Sequence, residues 1–170
     1  MFIDIHELER DQIVFAQQFP ARSIDLGEDV SQIERLDTEG TAELIEQDIR
    51  LQGHLRTTVE LWCARCLEPV RQLVDKDFDL YYRPVKTIAR EEEVEIDGAE
   101  LEVGFYQGNG LLLEDSLREQ ILLDLPMKSL CQPDCRGICP QCGQNRNLVN
   151  CGCPPRTGDD RWAPLAGFKK

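Results

Sequence analysis

The sequence predicts an α+β fold, in which a mainly antiparallel sheet, twisted or barrel-like, carries one main helix and a C-terminal cysteine-rich loop region. Three observations lead to this prediction. Apolar residues alternate along residues 43–62, an apolar stripe with a period of four follows at residues 113–125, and six of the eight cysteines crowd into residues 131–153. The strands therefore come first, the helix second and the cysteine-rich region last.

Strand signals occupy the first half of the chain. Residues 2–5 are short and mostly apolar, which is typical of an opening strand, and residues 43–62 place a series of apolar side chains at odd positions: Ile45, Ile49, Leu51, Leu55, Val59 and Leu61. Gly53, near the middle of this run, predicts either two strands joined at a turn or one strand with a bulge. Another strand is expected to open at Pro69, with four candidate core residues: Val74, Phe78, Leu80 and Tyr82.

A single main helix is predicted for residues 111–125. A glycine-flanked turn at residues 108–110 precedes it, and the helix has one apolar residue per turn on a single face, at positions 113, 117, 121 and 125. We expect this stripe to pack into the core, with Glu114 and Arg118 forming an i,i+4 ion pair on another face. Pro126 is expected to end the helix.

The cysteine spacing predicts metal sites. Cys63 and Cys66 form a Cys-x-x-Cys pair, expected at a tight turn after the strand that ends near Trp62, and two intervening residues allow both sulfurs to face one ion. The six other cysteines follow the helix, at Cys131, Cys135, Cys139, Cys142, Cys151 and Cys153. Since zinc takes four such ligands in a tetrahedron, eight cysteines can supply two structural sites.

The favoured division makes one self-contained site from the last four cysteines, Cys139, Cys142, Cys151 and Cys153. A second site would link the β-rich body to the segment after the helix, through Cys63, Cys66, Cys131 and Cys135. Two other arrangements stay open: Cys131 and Cys135 joining the tail pair, or a single filled site with spare free thiols. Iron–sulfur binding by the same thiolates and a redox-active Cys63–Cys66 pair are competing interpretations.

Charge divides the 170-residue chain into two regions. We expect an acidic β-rich body at residues 1–126 and a zinc-binding tail at residues 127–170 that packs on the body. The formal net charge is −13, yet the tail holds seven basic and only three acidic side chains. The overall charge argues against sequence-indifferent nucleic-acid binding, whereas the tail could present a local patch that faces RNA or the ribosome.

A cytoplasmic location is expected. The first ten residues carry acidic side chains where a secretory signal would be basic, and no apolar run is long enough to span a bilayer. In a reducing compartment, clustered cysteines favour metal over disulfides.

No enzyme is expected, because the sequence offers no nucleophile elbow, phosphate loop or carboxylate pair. His6 and His54 lack a partner at catalytic or ligand spacing. The acidic residues 90–102 are predicted to form a solvated loop or edge. Three apolar residues near the end are expected to dock on the protein's own body or, alternatively, to insert into a partner: Trp162, Leu165 and Phe168.

Several phrases of the sequence resemble one family when they are taken together. LWCARC comes first, then a helix that closes on LPMKSLC, then the phrase LCxxDCxGxCPxCGxNxN, and finally APLAGF. The chain thereby resembles the YceD family of bacterial proteins, over most of its length and all eight cysteines. The resemblance implies a cytoplasmic factor that supports the synthesis, processing or stability of large-subunit ribosomal RNA. It implies no catalytic residue.

From this resemblance and the relatively basic tail we predict a non-enzymatic, zinc-stabilised accessory factor for large-subunit ribosomal RNA accumulation and ribosome biogenesis. Its partner would be that RNA or a ribosomal or RNA-processing protein, and neither a membrane nor a small-molecule substrate is expected. The tail would contact the partner through four arginines: Arg136, Arg146, Arg156 and Arg161. One alternative is an adaptor whose acidic body engages a basic ribosomal or RNA-processing protein. A thiol redox or metal-sensing module is the third interpretation.

Overall fold

The computed structural model describes residues 1–85 and 103–154, and the chain divides into two compact units. The first unit comprises Met1–Leu61 and Arg71–Met127, and the second comprises Trp62–Val70 and Lys128–Lys170. The described elements follow in the order β1 (Phe2–Asp4), α1 (Ile5–Leu8), β2 (Ile13–Phe19), β3 (Val30–Gln32), β4 (Leu36–Ile45), β5 (Asp48–Trp62), β6 (Pro69–Pro84), β7 (Val103–Tyr106), β8 (Gly110–Leu112) and α2 (Leu113–Asp124).

The main sheet has the strand order β2-β4-β5-β6-β7, and β3 pairs with β5 beyond the end of β4. The pairs formed by β2 with β4, β4 with β5 and β3 with β5 are antiparallel, whereas β6 and β7 run parallel. Strands β1 and β8 form a separate antiparallel pair. The α+β prediction is confirmed, and the sheet over the described residues is not closed, so the barrel-like form of that prediction is wrong.

Gly53 marks neither a turn nor a bulge. Strands β4 and β5 pair without interruption from Asp37↔Arg56 to Ile45↔Asp48, and the two-residue turn lies at residues 46–47. A β-carbon on Gly53 would collide with a backbone oxygen of β4 and lie 2.9 Å from Phe78 Cζ. The glycine is therefore required by the close packing of backbone and aromatic ring inside the sheet, a reason that sequence periodicity does not reveal.

The core lies on the face of the sheet that carries the odd residues of β5. Five of them are at most 7 % exposed: Ile49, Leu51, Leu55, Val59 and Leu61. Ile45 has the same odd parity but is exposed, because its strand ends in a two-residue turn after which the inward positions change from even to odd. On β6, Val74, Phe78 and Tyr82 are buried and Leu80 packs against the core as predicted.

Helix α2 begins two residues later than predicted, because residues 110–112 pair with β1 as strand β8. Its apolar stripe is confirmed: Leu113, Leu117 and Ile121 are fully buried, and Leu125 packs against the core. The helix ends at Asp124, since the residue before a proline favours extended backbone. The predicted ion pair between Glu114 and Arg118 is wrong. Within the described residues, Glu114 instead forms an ion pair with the amino group of Met1.

The other face of the sheet is polar and carries cross-strand ion pairs. Arg50 on β5 donates to both carboxylate oxygens of Asp79 on β6, at 2.8 and 2.7 Å, and to Glu43 at 3.1 Å. Its guanidinium carbon also lies 5.6 Å from the centre of the Tyr81 ring. His54 contacts Asp75 across the same two strands, 2.8 Å from Nε2 to Oδ1. Sequence spacing does not reveal such partners, which are far apart along the chain.

The pair of Arg50 and Asp79 predicts a pH dependence of stability. The guanidinium, by hydrogen bonding, lowers the pKa of Asp79 below its ordinary value. Because the folded pKa is depressed, this stabilisation is present above the unfolded pKa of about 3.9 and is lost as the pH falls through the folded pKa. We therefore expect Asp79→Asn to lower the free energy of unfolding at pH 7 and to make its decline from pH 5 to pH 3 less steep.

Urea unfolding at several pH values checks this expectation, with Asp77→Asn as the matched control. Asp77 is an exposed carboxylate on the same face of the same strand. Both variants keep all eight cysteines, so acid effects on the thiols are common to them. Equal pH profiles for the two variants would contradict the expected role of the Arg50–Asp79 pair.

Several predictions concern residues outside the described ranges. These are the acidic segment 90–102, the apolar residues Trp162, Leu165 and Phe168, and two of the tail arginines, Arg156 and Arg161. Within the part of the chain that the structure describes, neither helix has the length and apolar character needed to cross a membrane.

Candidate metal centres

The first centre, called site 1, consists of Cys63, Cys66, Cys131 and Cys135, whose sulfurs all lie within 4.8 Å of one another. Cys63 and Cys66 occupy the connection from β5 to β6, and the other two follow α2. Two hydrogen bonds fold the connection back on itself: Cys63 N donates to Glu68 O at 2.8 Å, and Leu67 N donates to Cys63 O at 3.0 Å. The predicted tight turn after Trp62 is confirmed.

Backbone contacts hold the two halves of site 1 together. Ala64 N donates to Ser129 O at 2.8 Å, and Ile138 N donates to Arg65 O at 3.0 Å. The Arg65 guanidinium also donates to Cys135 O, at 2.9 Å. Gly137 has a positive φ of 68°, and a β-carbon there would lie 2.8 Å from Arg65 O. The connection between β5 and β6 is thus paired with the segment after α2 by backbone as well as by sulfur.

The second centre, called site 2, consists of Cys139, Cys142, Cys151 and Cys153, again with all sulfurs within 4.8 Å. Its first pair lies in a turn that Cys139 closes twice, donating its N–H to Gln144 O at 2.8 Å and accepting from Gly143 N at 2.9 Å. Gly143 has a φ of 73°, which favours glycine. The backbone around Cys139-Pro-Gln-Cys142-Gly thus forms a sharp turn that brings both cysteines to one side.

The sulfurs of both groups lie close enough together to bind one metal ion each, and two distances in site 1 match a four-thiolate tetrahedron. A zinc–sulfur bond of about 2.3 Å gives a tetrahedron with edges of about 3.8 Å. The sulfurs of Cys63 and Cys135 are 3.8 Å apart, and those of Cys66 and Cys131 are 3.5 Å apart. A disulfide would need about 2.05 Å, and all eight cysteines are free. The residues therefore fit two metal ions, and the structure groups the cysteines in the division that the spacing favoured.

The thiols within each site ionise unequally. Burial opposes the charge on Cys63, but backbone amides outweigh it and lower the pKa of this thiol to about 6. Backbone amides of its own turn lower the pKa of Cys139 to about 6. Local desolvation of the sulfur, together with the neighbouring thiols of Cys66 and Cys135, raises the pKa of Cys131 to about 12 although the residue as a whole is exposed. The neighbouring Cys142 and other sulfurs raise the pKa of Cys153 to about 12. A divalent cation would displace protons from the last two thiols, so metal affinity should fall at low pH.

The two sites differ in burial. In site 1, Cys63, Cys66 and Cys135 are buried and Cys131 is exposed. In site 2 only Cys139 is buried. Cys63 and Cys66 also form a small apolar cluster with Cys135, Val70 and Leu130. Site 1 is the better protected of the two, since water and competing thiols reach fewer of its ligands.

Asn145 and Asn147 are site residues that the sequence argument did not single out. Asn147 Nδ2 donates to Cys135 Sγ at 3.2 Å, and this bond lowers the pKa of the Cys135 thiol. Asn145 Nδ2 donates to Glu68 Oε1 at 3.1 Å. A signal for them was present, because both asparagines lie in the phrase CGQNRN directly after Cys142. Side-chain amides beside metal ligands commonly orient those ligands.

All eight cysteines fall within the part of the chain that a family model matches. The model is described as "Large ribosomal RNA subunit accumulation protein YceD", and it matches residues 51–169. The chain belongs to the YceD family. The resemblance drawn from the phrases LWCARC, LCxxDCxGxCPxCGxNxN and APLAGF is confirmed, and the family match includes both four-cysteine groups together with the loops that position them.

Curated relatives occur in plants and in mycobacteria. The chain is 30% identical over 146 residues to a chloroplastic YCED homolog 1 of Zea mays, described as a large ribosomal RNA subunit accumulation protein, covering 72% of this chain and 49% of the relative. It is 33% identical over 131 residues to an uncharacterized protein of Mycobacterium tuberculosis, covering 76% of this chain and 60% of the relative. The chain thus spans about half to three fifths of these relatives. No solved structure matches it.

Proposed function

We propose that this member of the YceD family is a non-enzymatic accessory factor that supports the accumulation of large-subunit ribosomal RNA in the cytoplasm. The observation that carries the proposal is the family match over residues 51–169, which includes both four-cysteine groups. The name of the Zea mays relative refers to the same RNA subunit.

Zinc is the ion that we propose for both sites. Four thiolates complete a tetrahedron and leave no open position for a substrate, which is typical of structural zinc rather than catalytic zinc. Sulfurs that lie within 4.8 Å of one another are spaced to bind a single ion, whereas an iron–sulfur cluster needs room for several irons and bridging sulfides between its cysteines. Zinc has no redox chemistry of its own, so its role here is to hold the loops around residues 63–68 and 131–153 in place.

Exposed basic and apolar side chains of the second unit are the proposed contact surface. Arg136 and Arg146 are exposed, and the neighbouring Leu148 is 77 % exposed. The described residues of this unit hold four basic and two acidic side chains, and each filled four-thiolate site would add net negative charge. Binding would therefore depend on individual arginines placed by the zinc loops, not on a broadly positive surface.

A deletion strain and crosslinking test the proposal. Loss of the protein should lower the ratio of large- to small-subunit ribosomal RNA, and the plasmid-borne wild-type chain should restore the ratio. Ultraviolet crosslinking in growing cells should attach the protein to one segment of the large-subunit RNA. The Arg136→Ala, Arg146→Ala double variant should lose most of the crosslink, while the exposed control pair Arg10→Ala, Arg71→Ala should keep it. An unchanged RNA ratio in the deletion strain would refute the proposed function.

A protein-binding adaptor is the second candidate, favoured by the acidic outer face of the main sheet. Glu39 and Asp77 are exposed there and line one open cleft together with Asp79, whose carboxylate is paired with Arg50. A lowered RNA ratio in the deletion strain without any RNA crosslink, together with a basic ribosomal protein that copurifies with the chain, would favour this candidate over direct RNA contact.

A further inference from the structure

The loop that joins the two ligand pairs of site 2 is attached to site 1. This loop, residues 143–150, runs from Cys142 to Cys151. Within it, Asn147 Nδ2 donates to the site 1 sulfur of Cys135 at 3.2 Å. Arg146 N donates to Gly137 O at 2.8 Å, and Asn145 Nδ2 donates to Glu68 Oε1 at 3.1 Å. Three consecutive residues of a site 2 loop thus contact the chain segments that carry the ligands of site 1.

The orientation of the Asn147 amide is fixed by its other partners. Arg136 N donates to Asn147 Oδ1 at 2.8 Å, and Gln132 Nε2 donates to the same oxygen at 3.4 Å. A backbone N–H can only donate, so the group that faces Arg136 must be the amide oxygen. The NH₂ group must then point to the sulfur of Cys135. The backbone N–H of Asn147 is held as well, by Asn145 Oδ1 at 3.0 Å.

We propose that Asn147 is a positioning residue for site 1 and that, through it, the metal ions of the two sites stabilise each other. The N–H···S bond neutralises part of the charge on the Cys135 thiolate and orients its sulfur, which strengthens metal retention. The loop that carries Asn147 is closed at both ends by site 2 ligands, so an ion in site 2 holds the amide against Cys135. Because coupling of binding is reciprocal, an ion in site 1 stabilises site 2 equally.

The proposal assumes that the sites hold metal, but it does not depend on any role in RNA accumulation. An in vitro test with the full zinc-loaded chain therefore tests the coupling of the two metal sites separately from the proposed function in RNA accumulation. Asn147→Asp is the informative variant, because it keeps the oxygen that accepts from Arg136 and replaces the NH₂ donor by an oxygen that repels the Cys135 thiolate. Asn150→Asp is the matched control, since it makes the same change at an exposed position of the same loop.

Trypsin makes the readout specific to each site. Cleavage after Lys128, Arg136, Arg146 and Arg156 yields peptide 129–136 with both late ligands of site 1, and peptides 137–146 and 147–156 with the four ligands of site 2. The folded protein is mixed with EDTA and N-ethylmaleimide for increasing times, then digested and analysed by mass spectrometry. Bound metal protects thiolates from alkylation, so the rate at which peptide 129–136 becomes doubly alkylated reports loss of metal from site 1.

We expect Asn147→Asp to accelerate double alkylation of peptide 129–136 by about tenfold or more, the usual effect of removing a contact to a metal ligand. Asn150→Asp should leave the rate unchanged. Cys142→Ser, which breaks site 2, should accelerate alkylation of the same peptide. Combining it with Asn147→Asp should add little, because both changes remove one contact. The proposal would be overturned by a wild-type rate in Asn147→Asp or in Cys142→Ser, or by equal rates in Asn147→Asp and Asn150→Asp. It would also be overturned if the effects of Asn147→Asp and Cys142→Ser multiplied in the double variant.

A spectrum of the Co²⁺-loaded protein keeps the proposal testable if a variant is less stable. Thiolate-to-cobalt charge-transfer energies depend on the charge at sulfur, and a hydrogen bond to sulfur lowers that charge. Fully loaded Asn147→Asp should show a shifted charge-transfer band, and Asn150→Asp should match the wild type. An unshifted band in Asn147→Asp would show that the amide does not act on the thiolate.

Discussion

Cys63→Ser is expected to remove the metal of site 1 and to destabilise the protein by about 3 kcal/mol or more, which corresponds to a fall of roughly 10 °C in Tm. Cys63 is fully buried, and its sulfur lies 3.8 Å from that of Cys135. Serine supplies a weaker ligand, so the three remaining cysteines would no longer hold the ion firmly. Since a bound metal contributes its binding free energy to folding, the cost is larger than that of an ordinary buried substitution.

Elemental analysis and thermal unfolding check this expectation. Wild-type protein should contain two zinc ions per chain, and Cys63→Ser should contain at most one. Unfolding in excess EDTA is the internal control. EDTA should lower the Tm of the wild type strongly, and it should lower the Tm of the variant less, because one site of the variant is already empty. Two zinc ions retained by Cys63→Ser would exclude Cys63 as a necessary ligand.

Gly40→Ala is the second substitution with a large expected effect, about 3 kcal/mol of stability. Gly40 on β4 faces Gly53 on β5, in the middle of the main sheet. An added β-carbon would collide with the backbone oxygen of Gln52 and lie 2.7 Å from Gly53 Cα and 2.8 Å from Phe15 Cζ. Two of these three atoms belong to backbone, which cannot rotate away as a side chain can. The collision can therefore be removed only if the two paired strands separate locally, and this separation would loosen the packing of the core.

Gly27→Ala separates the effect of this collision from the general cost of replacing glycine. Gly27 has a φ of 99° and no atom within 4 Å of an added β-carbon, so its replacement should cost only about 1 kcal/mol of backbone strain. Urea unfolding of both zinc-loaded variants gives the comparison. If Gly40→Ala cost no more than Gly27→Ala, the close approach of β4 and β5 would not be a constraint on the fold.

Local patterns were sufficient to predict the buried face of β5 and the main helix α2, but they gave no prediction of β2, β3, β7 or α1. The parity of Ile49, Leu51 and Leu55 predicted a strand with one buried face, and all three are fully buried. The stripe through Leu113, Leu117 and Ile121 predicted the helix, which buries that stripe. These predictions succeeded because the two periods, 2 and 3.6, follow from backbone geometry within a few residues of chain. The resemblance to the YceD family, confirmed by the family match, rested on local phrases for the same reason.

Contacts between distant segments are where sequence-based prediction failed. Gly53 was interpreted as a turn or bulge, but it allows Phe78, a residue of the next strand, to pack over the sheet. Glu114 was paired with Arg118 four residues away, although its partner is the amino group of Met1. Asn147 was assigned no role, because its contact with Cys135 depends on how two loops meet. In each case the partner is selected by tertiary packing, which outweighs the weak local preference.

By itself the sequence determined the fold class, the family and the buried faces of β5, β6 and α2, and it favoured one division of the cysteines into two sets of four. The tertiary structure alone decided that the sheet over the described residues stays open, that Gly40 and Gly53 meet, and that Asn147 donates to Cys135. Periodicity and ligand spacing act over a few residues, whereas these contacts exist only after the chain has closed long loops, so no local pattern encodes them.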